Sequence, residues 1–157
     1  MKLHLGCGNK LFDGWVNVDI GDYGQEVQCD LMELPFEDDE ADEILSVHVV
    51  EHFYPWETPL LLKEWRRVLK PGAPIAIECP DLMKACEHMV AKRNQQLSYW
   101  PIYGDPDHVN PYMMHKWGWT PRSLIKLMEF CGFHDVTEKP AQHKLGPVRD
   151  LRVEALG

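Results

Sequence analysis

Leu3-His4-Leu5-Gly6-Cys7-Gly8-Asn9 and, with ten residues between Gly8 and its closing acid, Val16-Asn17-Val18-Asp19 are the stretches whose reading decides the fold. An apolar run enters directly into a glycine turn. Two residues without Cβ let the chain bend sharply there and let a ligand approach the backbone. The second run ends in Asp19, an acid able to accept hydrogen bonds from a pair of ribose hydroxyls, and Val27 to Cys29 followed by Asp30 repeats the pattern. Short runs rich in Val, Ile and Leu read as strands buried in a parallel sheet. Acids at the carboxyl ends of adjacent strands line the crevice where such sheets take ligands.

Outward from this stretch, Ile44 to Val47 and Pro74 to Glu78 read as further strands. Thr58-Pro59 and Thr120-Pro121 each supply an N-cap and a proline at the first helical position. Apolar stripes follow: Leu61, Leu62, Trp65, Val68 and Leu69 in the first helix, and Leu124, Leu127, Met128 and Cys131 in the second. Asp81 can cap a helix carrying Leu82, Ala85, Cys86 and Met89, and Val148 to Leu156 reads as a last strand paired near Phe133 to Glu138. There is no repeat and no linker, so residues 1–157 are expected to form a single α/β domain.

The net charge is −9 and no block of Lys or Arg interrupts the acidic balance. Such a surface repels phosphate backbones, so no nucleic-acid partner is expected. Lys63, Arg66, Arg67 and Lys70 read as the solvated side of one helix. The five cysteines form no CxxC pair, which argues against a disulfide framework or zinc knuckle and for reduced thiols in a cytoplasmic protein. No apolar run suits a signal peptide or a membrane span, and no membrane association is expected.

Five motifs in order then carry a family resemblance. LHLGCGN, VNVDI, CDLMELPFEDDEADEI, SVHVVEHF and LKEWRRVLKPGAPIAIECPD resemble the successive motifs of class I S-adenosylmethionine-dependent methyltransferases of the type-11, small-molecule kind, and HKWGWTPRSLIKLMEFCGF resembles their late helix. The resemblance implies a three-layer Rossmann-like fold with a mostly parallel seven-stranded sheet and an antiparallel last strand. It implies S-adenosylmethionine as cofactor and S-adenosylhomocysteine as product. It places Gly6 and Gly8 by the methionine part, Asp19 by the ribose, Asp30 and Leu31 by the adenine, and His48 on the methyl-transfer side, with His4, Cys7 and Ile20 among the other cofactor contacts. The implied activity is in-line methyl transfer to a small-molecule or sugar-type acceptor. Two residues depart from the pattern: His4 stands where the family has an acid, and Lys10 where it has a third glycine. The ten residues before Asp19 also leave almost no room for the first crossover helix, since a parallel crossover normally needs a dozen residues or more. A reduced first crossover is therefore expected.

A different class remains as the alternative, a non-catalytic module of this fold that binds a nucleotide-like ligand or a partner protein. A nicotinamide dehydrogenase fits worse, because GCGNKL lacks the third glycine and Asp19 comes too soon after the turn. His48-Val49-Val50-Glu51-His52 also matches H-x-x-E-H, a zinc-hydrolase pattern, for which Glu129 would be a third ligand. That chemistry needs both histidines on one helix face. Here the string follows a strand directly and Pro55 interrupts soon after, so no metal is expected. The aromatic segment at residues 95–119 is too long for a mere connector and reads as an acceptor-side loop or lid. Tyr103, His108, Tyr112 and Trp117 are expected to face the acceptor, with His115 or His52 as a base.

Overall fold

The computed structural model describes residues 1–157. Seven strands, β1 (Lys2–Leu5), β2 (Val16–Asp19), β3 (Val27–Gln28), β4 (Glu43–Val47), β5 (Pro74–Pro80), β6 (His134–Lys139) and β7 (Asp150–Leu156), form one sheet in the order β3-β2-β1-β4-β5-β7-β6. β1 to β5 run parallel, and β7 lies antiparallel between β5 and β6. This is the Rossmann-like sheet expected from the motifs. Strand order reverses between β1 and β4, so the crevice opens at the carboxyl ends of these strands.

Side chains alternate across each strand, and here the alternation makes two unlike faces. Leu3, Leu5, Val18, Ile44, Ile75, Ile77, Leu151 and Val153 point to one face. Two helices close it: α1 (Thr58–Val68), through Leu61, Leu62 and Trp65, and α4 (Pro121–Phe130), through Leu124 and Met128. These helices lie side by side, with the Lys63 ammonium 5.5 Å from the Phe130 ring centre. Thr120 caps α4 in a reciprocal capping box with Ser123. Asp81 caps α2 (Leu82–Val90) by accepting from the Met83 N–H. Two boundaries differ from expectation. Thr58 is the first helical residue rather than the cap, its hydroxyl donating to the Tyr54 carbonyl at 3.0 Å. Val148 belongs to a 3-10 turn, Gly146–Val148, ahead of β7.

The other face buries His4, Asn17, Glu78 and Arg152. No helix follows β1 or β2, so the first crossover is reduced to turns, as its length predicted. Polar groups buried there must find partners within the chain. Asn17 supplies them for the crossover: its Oδ1 accepts from the Phe12 N–H at 2.9 Å, and its amide donates to the Phe12 carbonyl at 3.2 Å. The Phe12 ring stacks on His4 at 4.3 Å. Farther along, Glu78 accepts from the Gln142 and His143 N–H groups and from Arg152, which brings the 140–148 loop onto the same face.

Asn17→Ala would strand the Phe12 N–H, while the Phe12 carbonyl keeps the Trp15 N–H, and an unsatisfied buried group costs about 1–3 kcal/mol. We expect a loss of at least that size in urea denaturation. An unchanged midpoint would mean that the Phe12–His4 stack alone holds the crossover.

Candidate active site

The glycine turn uses its two glycines differently. Both have left-handed backbone, φ +73° at Gly6 and +50° at Gly8. A Cβ on Gly6 would lie 2.1 Å from Val49 Cγ2, whereas a Cβ on Gly8 would meet nothing within 4 Å. Gly6 therefore serves internal packing, and Gly8 leaves an open approach to the backbone. The Gly6 and Cys7 N–H groups both donate to the Val18 carbonyl, at 2.8 and 3.1 Å. Burial, followed by the charge of Asp19, pushes the Cys7 thiol up to about 11, so it is an inert packing group.

Asp19 ties this turn together. Its Oδ2 accepts from the Gly8 N–H at 2.8 Å and its Oδ1 from the Gly21 N–H at 2.9 Å. A carboxylate has about four lone-pair sites, so each oxygen keeps one for a ligand. Ile20 beside it is an exposed apolar surface. Asp30 accepts from the Met32 N–H, and the Leu31 carbonyl takes the Trp65 indole N–H at 3.1 Å. Gly8, Asp19, Ile20 and Asp30 thus sit at the carboxyl ends of three adjacent strands. His4 does not join them: it is buried within the sheet, with Nδ1 3.1 Å from Asn17 Oδ1.

His48, at the end of β4, marks the other half of the site. Its φ is +59°, its N–H donates to the Glu78 carbonyl, and its ring lies between two acids. Nε2 is 3.0 Å from Asp150 Oδ2 and Nδ1 is 3.2 Å from Glu51 Oε1. Burial alone lowers its pKa, but the pairing with Asp150 and Glu51 outweighs burial and raises it. A cavity of about 440 Å³ opens beside it, lined by His48, His52, Trp100, His108, His115 and Arg149 among others. His52 Nδ1 lies 3.3 Å from the Met114 carbonyl and His115 Nδ1 2.9 Å from the Pro101 carbonyl. A carbonyl only accepts, so each Nδ1 carries a proton and Nε2 is the nitrogen left for other contacts. Burial lowers the His115 pKa, which keeps that ring neutral.

The aromatic segment is ordered over this cavity. It contains α3 (Trp100–Tyr103) and a 3-10 turn, Pro111–Met113. Its far end is pinned to the turn after β4. The Lys116 and Trp117 N–H groups donate to the Glu51 carbonyl, and the Trp119 indole donates to the Val50 carbonyl. His108 lines the cavity, whereas Tyr103, Tyr112 and Trp117 are largely exposed and do not. Trp100, Lys144 and Arg149 line this cavity and Asp150 pairs with His48, and the sequence reading named none of the four. Asp150 comes to the site because the β5–β7 register sets it opposite Pro80, and nothing local announces that pairing. A second cavity, of about 300 Å³, lies at the opposite end of the strands near Glu43 and Pro74 and contains none of the expected residues.

Residues 14–77 match the family model described as a methyltransferase domain, a segment that begins just past the glycine turn. No curated protein matches the chain in sequence. Among solved structures, it is similar to a SAM-dependent methyltransferase from Archaeoglobus fulgidus, at 20% identity and TM-score 0.73, over 99% of this chain and 85% of that one. A SAM-dependent methyltransferase from Methanosarcina mazei is similar at 19% identity and TM-score 0.68, over 99% and 91%. So is the 1,6-didemethyltoxoflavin-N1-methyltransferase of Burkholderia thailandensis, solved with its substrate and S-adenosylhomocysteine, at 16% identity and TM-score 0.66, over 99% and 69%. The resemblance read from the motifs is borne out: residues 14–77 match the methyltransferase-domain model, and the chain has the fold of these SAM-dependent methyltransferases.

The two glycines give a paired expectation. Gly6→Ala should lose more than the roughly 1–2 kcal/mol of a left-handed L-residue, because Val49 must also move. Gly8→Ala should lose only about that much while obstructing the ligand side. Thermal melts of the two variants would show the difference, and equal losses would overturn the assignment.

Proposed function

We propose that the chain transfers the methyl group of S-adenosylmethionine to a small-molecule or sugar-type acceptor held in the histidine-lined cavity. The observation that carries the reading is Asp19, a carboxylate fixed by two backbone N–H groups at the end of β2, with lone pairs left toward the open side of Gly8. The residues present fit the cofactor. Asp19 would accept from the ribose hydroxyls, Ile20 would pack on the adenine ring, and Asp30 with the Leu31 N–H would meet its polar edge. Gly8 leaves room for the methionine part.

When bound, the cofactor supplies an electrophilic methyl on a sulfonium whose thioether is already a good leaving group. The protein's work is therefore orientation and exclusion of water, worth of order 7–11 kcal/mol in favourable cases. His48, held between Asp150 and Glu51, forms a rigid wall between the cofactor end and the acceptor cavity. In the ion-free protein, His52 and His115 each have Nε2 left to meet a hydroxyl proton of the acceptor, their Nδ1 atoms being held by backbone carbonyls. The buried Trp100 indole N–H has no partner in the chain and is a donor available to an acceptor oxygen.

Calorimetry should detect both S-adenosylmethionine and S-adenosylhomocysteine. Hydrogen bonds to a charged group contribute about 1.5–3 kcal/mol, so Asp19→Ala should weaken binding roughly ten- to a hundred-fold. Unchanged affinity in a folded variant would remove the ribose role, and no binding of either form at millimolar concentration would refute the cofactor assignment. His115→Ala should lower turnover while leaving cofactor affinity nearly constant, because acceptor and cofactor contacts are separable. Normal turnover would return His115 to a packing role.

A further inference from the structure

The turn after β4 and the aromatic segment bring together three side chains that the methyl-transfer reading does not require as a set. Glu51, His52 and His115 each offer a ligand atom, and the three atoms lie within 4.8 Å of one another. We propose that they form a binding site for a first-row divalent cation of the zinc type, open on its fourth side to the cavity.

Glu51 is the first reason. It is 1% exposed, and neither carboxylate oxygen has a hydrogen-bond partner. His48 Nδ1 lies 3.2 Å from Oε1 but off the hydrogen-bonding direction, so it supplies charge without a directed bond. An ionised carboxylate buried with unused lone pairs is costly unless a cation takes them.

The histidines are the second reason. A metal-bound imidazole almost always donates its other ring N–H to a carbonyl or carboxylate, which fixes its tautomer and aim. Both rings here do so, His52 to Met114 and His115 to Pro101. Nε2 is thereby the nitrogen each ring has left to ligate, and His115 Nε2 is 4.0 Å from Glu51 Oε1. Two imidazoles and one carboxylate, with an open position, suit zinc-like ions rather than magnesium or calcium, which prefer all-oxygen shells. Metal–ligand distances of about 2.0–2.2 Å would draw the three groups together by roughly an ångström.

This is not the H-x-x-E-H arrangement set aside from the sequence. The string folds as a strand end and a 3-10 turn, Val50–His52, and His48 turns to Asp150. His115, from the aromatic segment, takes the place that a second helical histidine would have filled. The expectation of no metal rested on the missing helix, and it did not foresee a ligand arriving from 63 positions downstream of His52. Facing Trp100 and His108, the open position would take an oxygen of the acceptor, a role that rests on the methyltransferase reading; the binding of the ion does not.

The test uses the full chain, stripped with chelator and titrated with Co²⁺ while its visible absorption is followed, then competed with Zn²⁺. One Co²⁺ per chain with the spectrum of a low-coordinate site is expected, displaced by one Zn²⁺. His52→Ala and His115→Ala should each weaken binding by more than the ~10–100-fold that loss of an outer-shell partner costs. His108→Ala, in the same cavity but outside the cluster, should bind as the parent does. Glu51→Gln perturbs a buried group, so the more exposed His52 variant, checked by circular dichroism, carries the decision. Absence of stoichiometric cobalt or zinc, or equal uptake by the His52/His115 double variant, would overturn the site. Cofactor binding measured in the same metal-free sample separates the two readings. Metal uptake without S-adenosylmethionine binding keeps the site and removes the cofactor, and the reverse result removes the site.

Discussion

Ten residues between Gly8 and Asp19 leave β1 and β2 without a crossover helix, and the sheet must close that face by other means. A helix would have covered it with apolar side chains. Loops bring backbone polar groups instead, and these need partners in a place that water reaches poorly. Asn17 and Glu78 answer that need, one for the Phe12 turn and one for the Gln142–His143 loop. The strand positions that would be aliphatic in a doubly covered parallel sheet are therefore His4, Asn17, Glu78 and Arg152.

The same constraint reaches the site. Glu78 holds the 140–148 loop, which leads into Arg149 and Asp150, and Asp150 pairs with His48. The Glu78 carbonyl also accepts from the His48 N–H. His48 is thus oriented from the backbone and from Nε2, which explains how a non-glycine residue is kept at positive φ at the end of β4. Strain of this kind persists only where surrounding contacts over-determine it. Glu51 then lies between the His48 ring and the paired rings of His52 and His115, the grouping from which the cation site follows.

Local signals in the sequence went far. The glycine turn, the acids closing β2 and β3, the Thr120-Pro121 helix start and the Asp81 cap are each written within a few residues, because turns and caps are satisfied locally. The shortened crossover was also legible, since chain length limits what can fit. Strand positions were placed to within a residue or two. The aliphatic reading of strands buried on both faces was less apt, because His4 and Asn17 were not seen as a polar face paired with loops. On the acceptor side, His52, His108 and His115 line one cavity, whereas Tyr103, Tyr112 and Trp117 are exposed and lie outside its lining.

The sequence by itself determined the fold class, a mostly parallel seven-stranded sheet, and the glycine turn with the acids that close β2 and β3, where each group lies within a turn or strand end of the next. Only the tertiary structure decided the acceptor end. Asp150 meets His48 across 102 positions, through the antiparallel pairing of β5 with β7. His115 meets Glu51 because the aromatic segment folds back on the turn after β4 and donates two N–H groups to the Glu51 carbonyl. Contacts between residues so far apart depend on register and on loop paths, and no short-range preference in the chain encodes either one.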